Sequence, residues 1–429
     1  MNLTFAGEVE GPLDPPTLRI ALDAVQRRHP LLRASLERGR GAPSFRIAPA
    51  SSPGPPIPLS VVDDPGGSWT DHAERELDRR FIAGEAPLAR ATLLRNGGGG
   101  SGTILVTVSH ALADARATGF LFRDLLEAAA QVHATGRADL PEKPVPPTIE
   151  EVLVRPLRAV EKLRAALQIG RTSGAPKGVR PARLPAATTT TATTSAANAV
   201  FPSTRVLAHT LEPEGTAALV ARAREEKTTV HGALVAAQLL AIAAECSPSG
   251  GGVLLYLACP VNVAARVPSP VTDDVVLFAS GVDAAPWVTP GEPLWQLARK
   301  VRRQLLETGD PRDRLLPSVL STGLVASLAP LFSGEAGKER LLGMARKGPQ
   351  ITLVTNAGAL DLPSAFGPFR PLSFSFLVDN PAAPVMSTVA TVGGRMSWCF
   401  ETQRAEVDDS RAGRIAQTAW GLVRGALGG

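Results

Sequence analysis

Hydrophobic positions in the first third of the chain switch between two periods. Residues 17–28 put Leu18, Ala21, Leu22 and Val25 on one face of a 3.6-residue repeat, which predicts a helix. Thr17 is its expected N-cap, and Pro30 ends the pattern. Short strands are predicted over 31–36 and 44–47, around a glycine-rich turn, and a charged helix over 68–81. The apolar runs 89–94 and 103–108 predict paired strands, joined by the glycines at 97–100. A helix carrying Phe120, Leu121, Leu125 and Leu126 is expected over 119–132, and a further helical stretch over 152–167.

Beyond the prolines at 141–147 the pattern fades. Residues 170–199 are rich in Ala, Thr, Pro, Gly and basic residues, have no clear period, and predict a long exposed linker. Strand and helix patterns then resume: strands at 204–210, 253–259, 350–355, 372–378, 385–392 and 395–401, helices at 214–225, 230–244, 293–307 and 408–426. The expected organisation is an N-terminal lobe over 1–169, a linker over 170–203 and a C-terminal lobe over 204–429. The elements mix without strict βαβ alternation, so the expected fold class is α/β with mixed sheets in two lobes, not a parallel dinucleotide-binding sheet.

Composition narrows the function. Hydrophobic residues make up 44% of the 429, enough for two sizeable cores, and charged residues 20%. Aromatics at 4%, with a single Tyr, argue against a base-stacking nucleic-acid surface. The net charge of +5 is spread out, which fits an Arg-rich solvated surface or attraction to an acidic partner. Cys246, Cys259 and Cys399 form neither a disulfide framework nor a zinc pattern, and point to a reducing cytoplasm. The first ten residues do not read as a signal peptide. The apolar run at 230–244 is short for a membrane span and contains His231 and Gln238.

Chemistry concentrates at one place. The run Thr103-Ile-Leu-Val-Thr-Val-Ser ends in His110, and Asp114 follows after three intervening residues. A histidine titrates near neutral pH, so one at the end of a buried strand is a candidate general base. The acid either orients the ring or fixes the loop. Spacing alone also admits a structural histidine followed by a helix-capping Asp. The other histidines carry less: His29 reads as structural, and His72, His133, His209 and His231 lack evident partners. Asp273 and Asp274 read as a solvated turn and not a metal site. The glycines at 97–100 lack the Lys and spacing of a phosphate loop.

Three further segments lie in order around that turn: Gly11-Pro-Leu-Asp-Pro-Pro-Thr-Leu18 with Arg28-His-Pro-Leu-Leu-Arg33, then Pro260-Val-Asn-Val-Ala-Ala-Arg266, then Thr355-Asn-Ala-Gly358 with Asp361-Leu-Pro363. Together with Ser109-His110-Ala-Leu-Ala-Asp114-Ala115 they resemble the condensation-domain and chloramphenicol acetyltransferase-like superfamily, whose signature is HHxxxDG. The resemblance spans most of the chain. It implies two similar α/β lobes with an active-site channel between them and His110 at its midpoint. It implies an acyltransferase using CoA or a phosphopantetheinyl carrier protein as thioester co-substrate, with a hydroxyl or, secondarily, an amine acceptor. His110 would be the general base, and Thr355 or Asn356 the oxyanion donor. Asp114 would pair with Arg266 in a structural role. No bound cofactor, metal, nucleic acid or membrane span is implied, and secondary or lipid metabolism is the expected setting.

The sequence departs from that pattern in three places. Ser109 replaces the first His, Ala115 replaces the Gly, and Met1 lies close to the first strand. An Ala at a position needing positive φ would be strained. A second reading therefore stands beside the first: a catalytically silent, condensation-like module that binds a carrier protein or assembly-line partner. The Asp-Phe-Gly-Trp-Gly motif of the plant branch is absent.

Overall fold

A computed structural model describes residues 1–37, 44–64, 67–95, 100–168, 179, 181–187, 204–264, 273–306, 319–320 and 350–428. In the first half the elements run β1 (Asn2–Glu10), α1 (Pro15–Arg28), β2 (Ala34–Glu37), β3 (Ser44–Ile47), β4 (Leu59–Asp63), α2 (Trp69–Asp78), β5 (Ala89–Arg95), β6 (Ser101–Ser109), α3 (Ala115–Thr135), α4 (Ile149–Leu153) and α5 (Ala159–Gln168). The second half continues with β7 (Thr204–Leu211), α6 (Pro213–Glu225), α7 (Val230–Cys246), β8 (Val253–Leu254), β9 (Tyr256–Asn262), β10 (Ala279–Ala284), β11 (Trp287–Val288) and α8 (Leu294–Leu306). It closes with β12 (Ile351–Ala359), β13 (Arg370–Val378), β14 (Val385–Val392), β15 (Arg395–Gln403) and α9 (Asp409–Gly425).

Two mixed sheets organise these elements. The first has the order β13-β1-β6-β5-β4, the second β10-β9-β12-β14-β15-β7. Helices α1 and α3 cover the first sheet and share its core with Leu18, Leu22, Leu121 and Leu125. Helix α7 is buried from Gly232 to Ala243 and packs between the second sheet and its neighbours α8 and α9, which is why its sequence carries no polar stripe. No single helix among the described residues is long and apolar enough to cross a membrane. The pair α6 and α7 would pass together by composition, but it bends by 93°.

One strand breaks the expected division of the chain. β13 comes from the second half yet pairs antiparallel with β1, at the edge of the first sheet. Three rings fasten it there. Phe5 of β1, Phe122 of α3 and Phe374 of β13 lie with centroids 5.4–5.6 Å apart. Gly7 makes room for them, because a Cβ there would stand 2.3 Å from the Phe122 ring. The first lobe is therefore completed by residues within 204–429, and the lobes are interlocked rather than sequential.

The linker also needs amendment. Residues 181–187 are anchored on the second lobe at two points, although Arg183, Pro185 and Ala186 remain exposed: Ala182 N–H donates to the Leu254 carbonyl (2.9 Å), and Leu184 is buried in the second core. The helix expected over 152–167 is two short ones, and Pro156 lies between them, where its missing N–H and ring oppose a continuous helix. The N-cap of α1 is Asp14, not Thr17. Its carboxylate accepts the Thr17 N–H at 2.7 Å, and prolines occupy the first helical positions.

Candidate active site

His110 stands one residue beyond β6, where both neighbouring strands release the chain. Ser109 N–H still donates to the Leu88 carbonyl (2.9 Å), and His110 N–H to the Met1 carbonyl (3.1 Å). The chain then turns: Leu112 N–H closes on the Ser109 carbonyl at 2.9 Å. Leu112 and Ala113 are fully buried, while Ala111 is exposed and His110 half-buried.

The ring of His110 is held by one nitrogen. Nδ1 lies 2.8 Å from the Ala113 carbonyl oxygen. That oxygen can only accept, so Nδ1 carries the proton and the neutral ring presents Nε2 as a lone pair. Burial pushes the His110 pKa below the ordinary histidine value, against the opposing pull of the Ala113 bond and the Asp114 charge. The ring is therefore kept in its basic form at neutral pH.

Asp114 faces away from the imidazole and ties together two structural elements. Oδ1 caps α3, accepting from Arg116 N (3.0 Å) and Ala117 N (3.1 Å). Oδ2 crosses to the second lobe, accepting from Asn262 Nδ2 (2.8 Å) at the end of β9 and from Phe278 N (3.0 Å) just before β10. The carboxylate is buried with four N–H donors around it. Arg266, the expected partner, lies outside the described residues. Asn262 was within the segment singled out for Arg266. The Phe278 N–H had no sequence signal, because a backbone donor leaves none.

Ala115 is the first residue of α3 and does not adopt positive φ. Among the described non-glycine residues only Lys227 and Asp273 do. Its side chain is thus accommodated, and the expected strain at this position does not arise. Thr355 is buried on β12, beside Thr388 of β14. Asn356 marks a shift in the β12–β14 register, and its Oδ1 accepts the Gly358 N–H at 2.7 Å, which leaves Nδ2 as the donor end of the amide. Neither residue is hydrogen-bonded to His110 among the described contacts. The end of β12 does approach the same helix: a Cβ on Gly119 of α3 would stand 2.9 Å from the Leu360 side chain.

Other candidate residues resolve into structural roles. His29 Nε2 lies 3.0 Å from Asp124, which also accepts from Arg28 and Arg123. His72 does have a partner, Asp64, at 2.7 Å on the surface. His231 has one too: Nε2 lies 3.3 Å from the Cys259 thiol. Burial lowers its pKa to about 4 and pushes the Cys259 pKa up. His209 stacks on Trp420 and His133 meets Phe369 edge-on. Asp273 and Asp274 form no free turn. They pair with Arg123 (3.1 Å) and Lys143 (3.5 Å) of the first lobe, adding interlobe ties near the Asp114 bridge. No group of three or more His, Cys, Asp or Glu side chains among the described residues is arranged to hold a metal ion.

Comparison with known proteins agrees with this architecture. Residues 197–365 match the family described as phthiocerol/phthiodiolone dimycocerosyl transferase C-terminus. No curated protein sequence matches the chain. Among solved structures, polyketide synthase associated protein 5 from Mycobacterium tuberculosis is similar over 100% of this chain and 94% of its own, with a TM-score of 0.65 and 17% identity. The TRI3 trichothecene 15-O-acetyltransferase from Fusarium sporotrichioides is similar over 99% and 91%, with a TM-score of 0.70 and 11% identity. The first condensation domain of the CDA synthetase is similar over 100% and 91%, with a TM-score of 0.64 and 16% identity. The chain therefore shares the fold of these acyltransferases and condensation domains over nearly its whole length, and residues 197–365 carry the sequence pattern of the matched transferase C-terminus.

Proposed function

We propose that the protein is an acyltransferase that moves an acyl group from a CoA or carrier-protein thioester to a hydroxyl acceptor, or secondarily an amine. One observation carries the reading: His110 stands at a strand end with Nδ1–H spent on a carbonyl and Nε2 left as the base. The fold supports it, being shared with the named transferases.

Nε2 takes the acceptor's O–H proton as its oxygen attacks the thioester carbonyl carbon. Collapse of the tetrahedral intermediate breaks the C–S bond, and the proton passes from the imidazolium to the departing sulfur. The developing oxyanion needs a positioned donor, and the Thr355 hydroxyl or the Asn356 amide is assigned that part. Asp114 acts at one remove. Holding α3 to the end of β9, it fixes the turn that aims His110, and Arg266 is assigned to the same structural support. No acyl-enzyme intermediate is required.

The test is a coupled measurement with a panel of acyl-CoA and acyl-carrier-protein donors and alcohol or amine acceptors. Mass spectrometry would follow ester or amide product together with free thiol. The reading expects acceptor-dependent release of thiol matched by product. Specific binding of a carrier protein with no product from any donor would instead favour the silent module.

A further inference from the structure

Helix α5 is built inside out. At about 100° per residue, Val160, Leu163 and Leu167 fall within roughly 60° of one another. That face is turned to solvent: the three side chains are 56%, 59% and 62% exposed. Ala159 and Ala166 extend the strip and are exposed as well. Ala165, on the opposite side, is the buried residue that seats the helix, with Leu157 just before it. Ordinary surface helices do the reverse, since apolar surface is favoured out of water.

The strip has a basic rim. Arg164 borders it on the Val160 side and Lys162 on the other, while Arg155 and Arg158 lead into the helix with side chains 79% and 83% exposed. The acidic Glu161 lies away from the strip and accepts the Arg158 N–H at 2.7 Å. An apolar ridge with cations at both edges is complementary to a surface that is apolar within and anionic at its boundary.

From this pattern we infer that α5 is a docking element for an anionic phospholipid surface, lying in the headgroup layer with Val160, Leu163 and Leu167 inserted. Side chains more than half exposed along about two turns describe a ridge with no walls, and a bilayer can part around a ridge. A groove-fitting acidic helix would need walls. A second copy of the chain would bring Lys162 and Arg164 against their own equivalents, so like charges oppose that pairing. The inference does not depend on the acyl-transfer reading.

Flotation of the full-length protein with vesicles of phosphatidylcholine, with and without phosphatidylglycerol, tests it. The expected result is binding to the anionic vesicles, weaker on phosphatidylcholine alone and reduced by salt. Combining Val160→Ser, Leu163→Ser and Leu167→Ser should weaken binding by about tenfold or more, and Arg164→Glu should remove much of the anionic preference. Wild type that binds neither vesicle would overturn the inference. So would vesicle binding unchanged in the triple variant. A triple variant altered only in self-association by light scattering, or only in thermal stability, would also overturn it, showing that the face is covered by a second copy or by the chain itself.

Discussion

Two histidines of the first lobe, His29 and His110, each sit near a buried aspartate, and they are held in opposite ways. His29 meets Asp124 through Nε2, and Asp124 gathers Arg28 and Arg123 besides. These groups hold the Asp124 carboxyl well below the usual range although burial opposes them, so the carboxylate accepts and His29 Nε2 donates. His110 turns its back on Asp114: Nδ1 is spent on the Ala113 carbonyl, and Asp114 is spent on four N–H donors. One histidine is consumed by an ionic cluster. The other is locked in orientation with Nε2 available. Proximity to an acid does not make a histidine catalytic; what matters is which nitrogen the surroundings leave free.

The largest expected difference between the two is kinetic. His110→Ala should lower the acyl-transfer rate by roughly 10²–10⁴-fold with little change in Tm, whereas His29→Gln should leave the rate within a few-fold. Asp114→Ala should act on stability and activity together. It strands the α3 cap and the Asn262 and Phe278 donors, at about 3 kcal/mol in denaturant melts, with loss of rate.

Asp124→Asn should cost about 2 kcal/mol and spare the rate, because its arginines reach solvent and its cluster only supports the fold. Its folded pKa is depressed, so its contribution is present above the unfolded value and lost as pH falls. The gap in Tm between wild type and Asp124→Asn should be full above about pH 5 and shrink progressively as pH falls below about 4, closing only as the depressed folded pKa is reached.

The smallest effect is a shift in midpoint. Burial lowers the His110 pKa, so kcat/KM should fall on acidification with a midpoint below about 6.5. The unfolded chain takes up that proton more readily, so His110 and His29 both make stability decline as pH drops beneath that value.

Much of the frame was legible in the sequence. Strong periods gave β14, β15, α7 and the turn carrying His110, because local pattern and tertiary packing agree there. β10 was missed: Ala279-Ser-Gly-Val-Asp-Ala284 contains Gly and Asp, and only its pairing with β9 makes it a strand. The alternation in β13 announces a strand but not which sheet receives it. That choice depends on Phe374 meeting Phe5 and Phe122, residues far away in the chain. At the site, His110 and Asp114 stand out as residue types. The partners that define them, the Ala113 carbonyl and the Phe278 N–H, are backbone groups and carry no residue signature.

The sharpest test is the tautomer of each ring, read from long-range ¹H–¹⁵N correlation of ¹⁵N-labelled protein at neutral pH and assigned with His110→Ala and His29→Gln. The account predicts opposite neutral forms, Nδ1–H with bare Nε2 at His110 and Nε2–H at His29. A His110 ring protonated at Nε2, or at both nitrogens, would contradict it, since no base would then face an acceptor.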